Sequence, residues 1–513
     1  ISFTSGDWAV VDPDGRFDTN NFETIFGLHW VVSDEPLKSL PLEIFMRDYY
    51  EPRLLQRILN GESFKFIRSL ASLNRVQPEV RITKVEREAN SLDKVSVTVE
   101  VVAKEGIFLR EGKQVNMGSG AYNLRLFRDR QLVAQWPGIN TDWGNELNIW
   151  RDRHKIDLDP DTGRAIVTFR NIQLPKQSNT NQVNFTAYAF NSDRVKSITT
   201  TPWVYILPDN IKPAKPQAYI ITVGVNANRS GWNLDFAAKN AQDIDQLLYK
   251  QLSKQYEINS IQLLSYFEED GFRVVKNQAT KANIKAVLDL LAGRDVDSRL
   301  RQEVDKENRI RPANPDDLVI LFVSSHGYAD PQGKFYIVPY DTGEPKGITE
   351  ELLNRCWQAR EQKNICRDTQ TFLQHCISSD DLANWWNGVD AGEMIMILDS
   401  CYSSSIPGKE FKPGPLGDSG FGQLSYDKQM RILCAAQPNK SAIANKRLGG
   451  SLLVKILVAN SATTLSEWLQ VAEKQVPLLY KELYPAIKND KDIQTPTLFD
   501  FATSKQSIPL VLR

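Results

Sequence analysis

The chain has 513 residues, with 62 Lys and Arg against 63 Asp and Glu, for a formal net charge of −1. That balance excludes a bulk binder of nucleic acid or anionic membrane, both of which need clustered positive charge. A composition of 41% hydrophobic and 24% charged residues is that of a soluble globular protein, and the length suggests about two to four domains.

Residues 1–75 open on Trp8-Ala9-Val10-Val11 and the turn Asp12-Pro13-Asp14-Gly15, which predicts a short β element. Two helical stretches follow, over 42–50 and over 54–59 with a glycine stop at Gly61. The beginning at Ile1 rather than Met reads as a fragment or a processed product, with a natural upstream region missing. From 76 to 207 the period changes to two. Val95 to Val101, Tyr122 to Phe127, Ala165 to Phe169 and Asn184 to Phe190 all alternate, as the strands of a β-sandwich would. Residues 208–217 carry Pro208, Pro213 and Pro216 and read as a stiff linker.

From 218 to 513 the pattern is that of an α/β domain with a mostly parallel central sheet. Tyr219–Val225, Leu318–Val323 and Met394–Leu398 are apolar runs without alternation, as expected of strands buried on both faces. Helices are predicted over 234–252, 282–291, 452–458 and 465–483, the last interrupted by Pro477. Two insertions stand out, 343–378 and 405–429. The second is rich in Gly, Pro and Lys and reads as a flexible surface loop. No apolar run approaches the ~20 residues of a membrane helix.

All five cysteines, at 356, 366, 376, 401 and 434, lie in the final third. An extracellular disulfide scaffold would spread them more evenly and leave none odd, so a reducing cytoplasm is the expected compartment. Cys356, Cys366, His375 and Cys376 have gaps too irregular for a zinc motif, and Gly224 lacks the further glycines of a nucleotide-binding turn. Neither a metal nor a cofactor is expected.

Functional groups in parallel α/β sheets collect just past the C-terminal ends of strands. After Leu318–Val323 come Ser324-Ser325-His326-Gly327, and after Met394–Leu398 come Asp399-Ser400-Cys401. One strand delivers a histidine and another a cysteine. A cysteine attacks as its thiolate, and an imidazole can take its proton and later protonate a leaving amine. Gly327 lets a substrate approach the backbone, and the amides of Gly327 and Cys401 could serve an oxyanion. Against this stand a small buried hydrophobe at 401 and a structural histidine at 326.

These paired motifs resemble the caspase-like cysteine peptidases, in particular their metacaspase and bacterial orthocaspase branch. The resemblance extends to Tyr219-Ile220-Ile221-Thr222-Val223-Gly224-Val225-Asn226, to Leu234-Asp235-Phe236-Ala237 and to Tyr336-Ile337-Val338-Pro339-Tyr340-Asp341. It spans about 218–500 and implies a caspase-like fold with Cys401 as nucleophile and His326 as general base. It further implies an S1 pocket lined by Asp399 that selects Arg or Lys at P1, with Ser324 beside it. A carboxylate at a pocket base would pair with a guanidinium or an ammonium. The chain departs from the family at Asn240, where a second pocket aspartate is common, and at Tyr402 and Ser404, where His and Gly are common. Residues 405–408 offer no aspartate for calcium.

The expectation is a regulated bacterial endopeptidase made as a zymogen, acting on protein substrates in signalling, defence or cell death. Its 405–429 loop is expected to be cut at Lys409 or Lys428. The region 1–207 resembles accessory modules upstream of such domains and is expected to dock an activating protein partner. The rivals are a catalytically silent caspase-like scaffold, and an α/β ligand-binding module or non-peptidase hydrolase.

Overall fold

The computed structural model describes residues 1–21, 25, 27–32, 35–51, 54–59, 61, 64, 66–89, 91–110, 113–138, 147–176, 181–208, 215–229, 233–267, 274–329, 335–342, 372–401, 419–436, 442–487, 493–502 and 508–510. The chain forms two compact units, Ile1–Lys212 and Pro213–Arg513.

The first unit is built from small antiparallel sheets. Ala9–Val11 pairs with Phe17–Thr19 across the Asp12–Gly15 turn, where Gly15 takes a φ of 91°. Glu79–Arg87, Lys94–Val102 and Arg164–Gln173 form a three-stranded sheet, with Lys94–Val102 in the middle. Gln131–Trp136, Tyr122–Arg128, Gln182–Phe190 and Trp203–Ile206 form a four-stranded one. Period two sends Val95, Val97, Val99 and Val101 to one side, where they share a core with Leu124, Leu126, Val183, Phe185 and Ala187 of the other sheet. The opening segment is tied to this unit. Lys196 Nζ meets Glu43 at 3.0 Å, and the Asn74 amide donates to Asp193 at 2.7 Å.

The second unit carries a nine-stranded mixed sheet. Its main strands are β1 (Gln217–Val225), β2 (Glu257–Phe267), β3 (Val274–Asn277), β4 (Leu318–Ala329), β5 (Phe335–Ile337), β6 (Ile377–Ser378), β7 (Glu393–Cys401), β8 (Arg431–Cys434) and β9 (Thr497–Asp500). The order is β3-β2-β1-β4-β7-β8-β9. The inner five strands are parallel and the two edges antiparallel, while β5 pairs with the end of β4 and β6 with β5. The main helices are α1 (Ala237–Leu252), α2 (Lys281–Leu291), α3 (Ser379–Asn387), α4 (Ser419–Lys428), α5 (Leu452–Ala459) and α6 (Leu465–Leu483). The last of these runs on through Pro477.

Alternation along the central strands explains why they read as continuous apolar runs. Leu318, Ile320 and Phe322 of β4 and Ile395 and Ile397 of β7 face a core shared with α1, α5 and α6. Val319, Leu321, Val323, Met394, Met396 and Leu398 point the other way and are buried as well. Fully burying each such side chain contributes about 1.5–3 kcal/mol.

The 405–429 segment is not a loop throughout. Residues 405–418, with Lys409, lie outside the described residues, but 419–428 form α4. Lys428 ends that helix at 1% exposure, and its Nζ donates to the Asn387 carbonyl at 3.0 Å. Lys428 is therefore corrected from an exposed processing site to a buried lysine that neutralises a helix-end carbonyl. A protease needs an extended, accessible backbone, which this position does not offer. Of the 343–378 insertion, residues 343–371, with Cys356 and Cys366, lie outside the described residues.

Candidate active site

The site begins with a register. Across three adjacent parallel strands Gly224 of β1 pairs with Ser324 of β4, and Ser324 pairs with Asp399 of β7. Residues in register on parallel strands share a face. Ser324 and Asp399 thus continue the stripes Leu318-Ile320-Phe322 and Ile395-Ile397. The face that is apolar core along the strands turns polar at their C-terminal ends. Two residues further the register pairs His326 with Cys401, the last residue of β7. The strand order therefore brings positions 326 and 401 side by side despite the long separation in sequence.

Gly224 makes the roof. A Cβ there would lie 2.6 Å from the Ala237 carbonyl oxygen and from the Ala238 Cα, so only glycine lets α1 start directly over the strand end. The first residue after β1 then acts as a clamp. Asn226 Oδ1 accepts the Ala238 amide at 2.7 Å, and its Nδ2 donates to the Asp235 carbonyl at 3.1 Å. The helix-start amide is thus satisfied from outside the helix. One turn on, Asn240 comes down over Ser324 and Asp399.

The resulting polar cluster is closed. Asn240 Nδ2 donates to Asp399 Oδ2 at 3.2 Å and to Ser324 Oγ at 3.3 Å. The Ser324 hydroxyl donates to the same Oδ2 at 3.0 Å. Asn240 Oδ1 accepts the Ser451 amide at 3.3 Å, which fixes which way the Asn240 amide points. Asp399 is 3% exposed, and its Oδ1 is buried without a hydrogen bond. Burial pushes the Asp399 carboxyl from 3.8 up to about 6, although the Ser451 and Ser324 hydroxyls and the Asn240 amide favour its ionised form. The Ser451 hydroxyl is also the N-cap of α5, accepting the Val454 amide at 3.1 Å, which leaves its own hydrogen free for the carboxylate.

His326 is 3% exposed, and its backbone is braced by the segment after it. Its carbonyl accepts the Val338 amide at 3.0 Å, and Ser325 Oγ bonds the Val338 carbonyl. The bond to Val338 makes Gly327–Ile337 a non-hydrogen-bonded pair of the antiparallel ladder. The Gly327 N–H therefore points away from β5. Asp341 closes the brace by accepting the Lys281 amide at 3.0 Å at the start of α2.

Sequence reasoning missed three contributors. Ser451 carries a helix-cap signal, a serine just before the apolar run 452–459. Gly450 carries a weaker one: a Cβ there would lie 2.7 Å from Asn240 Oδ1, so its glycine keeps room for the cluster. Ser325 carries none, because its role depends on Val338 arriving from β5. Of the other cysteines, Cys376 and Cys434 are buried, and burial pushes both thiols well above their ordinary value. Among the described residues no group of three or more His, Cys, Asp and Glu is placed to hold a metal ion, and no helix is long and apolar enough to cross a membrane.

No protein-family model matches the chain, and no curated protein matches it. Among solved structures, one described as "structure of pro-sf-caspase-1" is similar at 10% identity with a TM-score of 0.25, covering 56% of this chain and 91% of that chain. At that depth the residues themselves must carry any functional reading.

Proposed function

We propose that this chain is a caspase-like cysteine endopeptidase that cleaves protein substrates after a basic residue. The observation that supports it is the register pairing of His326 with Cys401 at the ends of two adjacent parallel strands. His326 takes the Cys401 thiol proton, and the thiolate adds to the carbonyl carbon of the scissile bond. The amides of Gly327 and Cys401 receive the oxyanion. The amine leaves with the proton held by His326, and water, deprotonated by the same imidazole, hydrolyses the thioester. Acid and new amine are released and the thiol is restored. Asp399, with Ser324 and Asn240 beside it, receives the P1 cation.

The Asp399 carboxylate is almost wholly shielded in this conformation. A P1 side chain reaches it only after the surrounding chain gives way, as in a zymogen, and Lys409 is the remaining proposed activating cut. In this reading the protein works in the cytoplasm of a bacterium, and the first unit supports or docks it to a regulator. Paired fluorogenic peptides ending in Arg, Lys or Asp test the reading on wild type and Cys401→Ala. Turnover after Arg or Lys that disappears in Cys401→Ala is expected. Turnover that survives in Cys401→Ala, or none in wild type before or after limited proteolysis, overturns it.

A further inference from the structure

The two oxygens of Asp399 are not equivalent, and the difference bears on which cation the site takes. Oδ2 already accepts two hydrogen bonds, from Ser324 Oγ at 3.0 Å and Asn240 Nδ2 at 3.2 Å. Oδ1 is buried and meets no donor at hydrogen-bond geometry, although the Ser451 hydroxyl stands close enough to favour the ionised carboxylate. Asn240 cannot turn away to release Oδ2, because its own Oδ1 is held by the Ser451 amide and Gly450 packs against it. The usual reason for Arg at an acidic site is a fork of two parallel N–H groups that grips both carboxylate oxygens. Here one tine of that fork would meet an oxygen whose acceptor sites are filled. An ammonium is a compact charge with three rotatable donors and needs only one carboxylate oxygen. Its other hydrogens can turn to a remaining lone pair of Ser324 Oγ, since that hydroxyl spends its hydrogen on Oδ2.

We infer that this site prefers lysine over arginine at P1, because Asn240 and Ser324 saturate one oxygen of Asp399 and leave the other as a single-point receptor. The inference rests on the peptidase reading for its chemistry but on the Asp399 cluster for its geometry, so the two can fail separately.

The test uses the full chain and two peptides identical except for Lys or Arg at P1. Their kcat/KM values are compared in wild type, and their affinities in Cys401→Ala by calorimetry. A preference for Lys of about tenfold or more is expected in both measurements, the difference of one well-made charge-assisted contact. Ser324→Ala removes a donor from Oδ2 and should move the Lys-to-Arg ratio several-fold toward Arg. Asn240→Ala should do the same, and the smaller Ser324 change covers the case in which Asn240→Ala does not fold. Cysteine-dependent cleavage that favours Arg or is indifferent overturns the inference and leaves the peptidase reading standing. Lys-selective binding without any cleavage does the reverse. Binding of neither peptide, or a ratio unmoved in a folded Ser324→Ala protein, also overturns the inference.

Discussion

Asp399→Asn separates the energetic cost of the site from its use. The carboxyl rises from 3.8 to about 6 on folding because burial penalises its charge. A folded state that holds a proton more tightly than the unfolded state loses stability as pH rises through the window between the two values. Below about pH 4 the group is protonated in both states and contributes no penalty. Above about pH 6 it is ionised in both, and the folded state bears the full cost, about 3 kcal/mol. An asparagine does not titrate, so Asp399→Asn should lack this component. Its amide also changes the hydrogen bonding at the former Oδ1, which adds a roughly constant offset of about 1–3 kcal/mol. The informative quantity is therefore the change in the difference between variant and parent from pH 4 to pH 8. Urea unfolding of both proteins, in a Cys401→Ala background that prevents self-cleavage, measures it. The variant should gain about 2.5 kcal/mol relative to its parent over that range, with the gain concentrated between pH 4 and pH 6. A difference that stays flat with pH, or a variant that loses ground as pH rises, would refute the reasoning.

The same titration should appear in catalysis. The preference for a Lys peptide over one with a neutral P1 should fall as pH drops through about 6, because protonation removes the charge that the cation pairs with; a ratio constant from pH 5 to pH 8 would assign cation recognition elsewhere. Gly224→Ala should destabilise the second unit by about 1–3 kcal/mol and lower the Lys-to-Arg ratio, because its Cβ would strike the α1 backbone rather than a side chain that can turn aside. Unfolding midpoints and paired kcat/KM values check both effects. Limited trypsin digestion of the folded protein should leave the bond after Lys428 intact, since that side chain is held on the Asn387 carbonyl; early cleavage there, read by intact mass, would contradict its burial.

What could be read without coordinates was whatever depends on one strand or one helix at a time. Apolar runs such as Leu318–Val323 and Met394–Leu398 announce buried strands, and the residues just past them fall at the strand ends. Ser324, His326 and Asp399 were legible for that reason. Period two adds that 324 shares a face with 326, and 399 with 401, before any pairing is known. The pairing itself is the part that sequence could not supply. A slip of one residue between β4 and β7 would put His326 and position 401 on opposite faces. The register is a matter of pairing across the sheet, from Leu318 with Glu393 to His326 with Cys401. Asn240 shows the same limit from another side. On paper it is a polar helix residue where an acid would offer a second charge. In the fold it is a donor held from behind by Ser451 and Gly450, both about two hundred residues away in the chain. The consequence is chemical rather than merely structural. An amide at 240 brings no charge to the site and occupies an oxygen of the Asp399 carboxylate. An Asn240→Asp change would therefore do more than add charge. Both carboxylates would compete for the Ser324 hydroxyl, one would hold a proton, and the Asn240 hydrogen bond to Oδ2 would be lost.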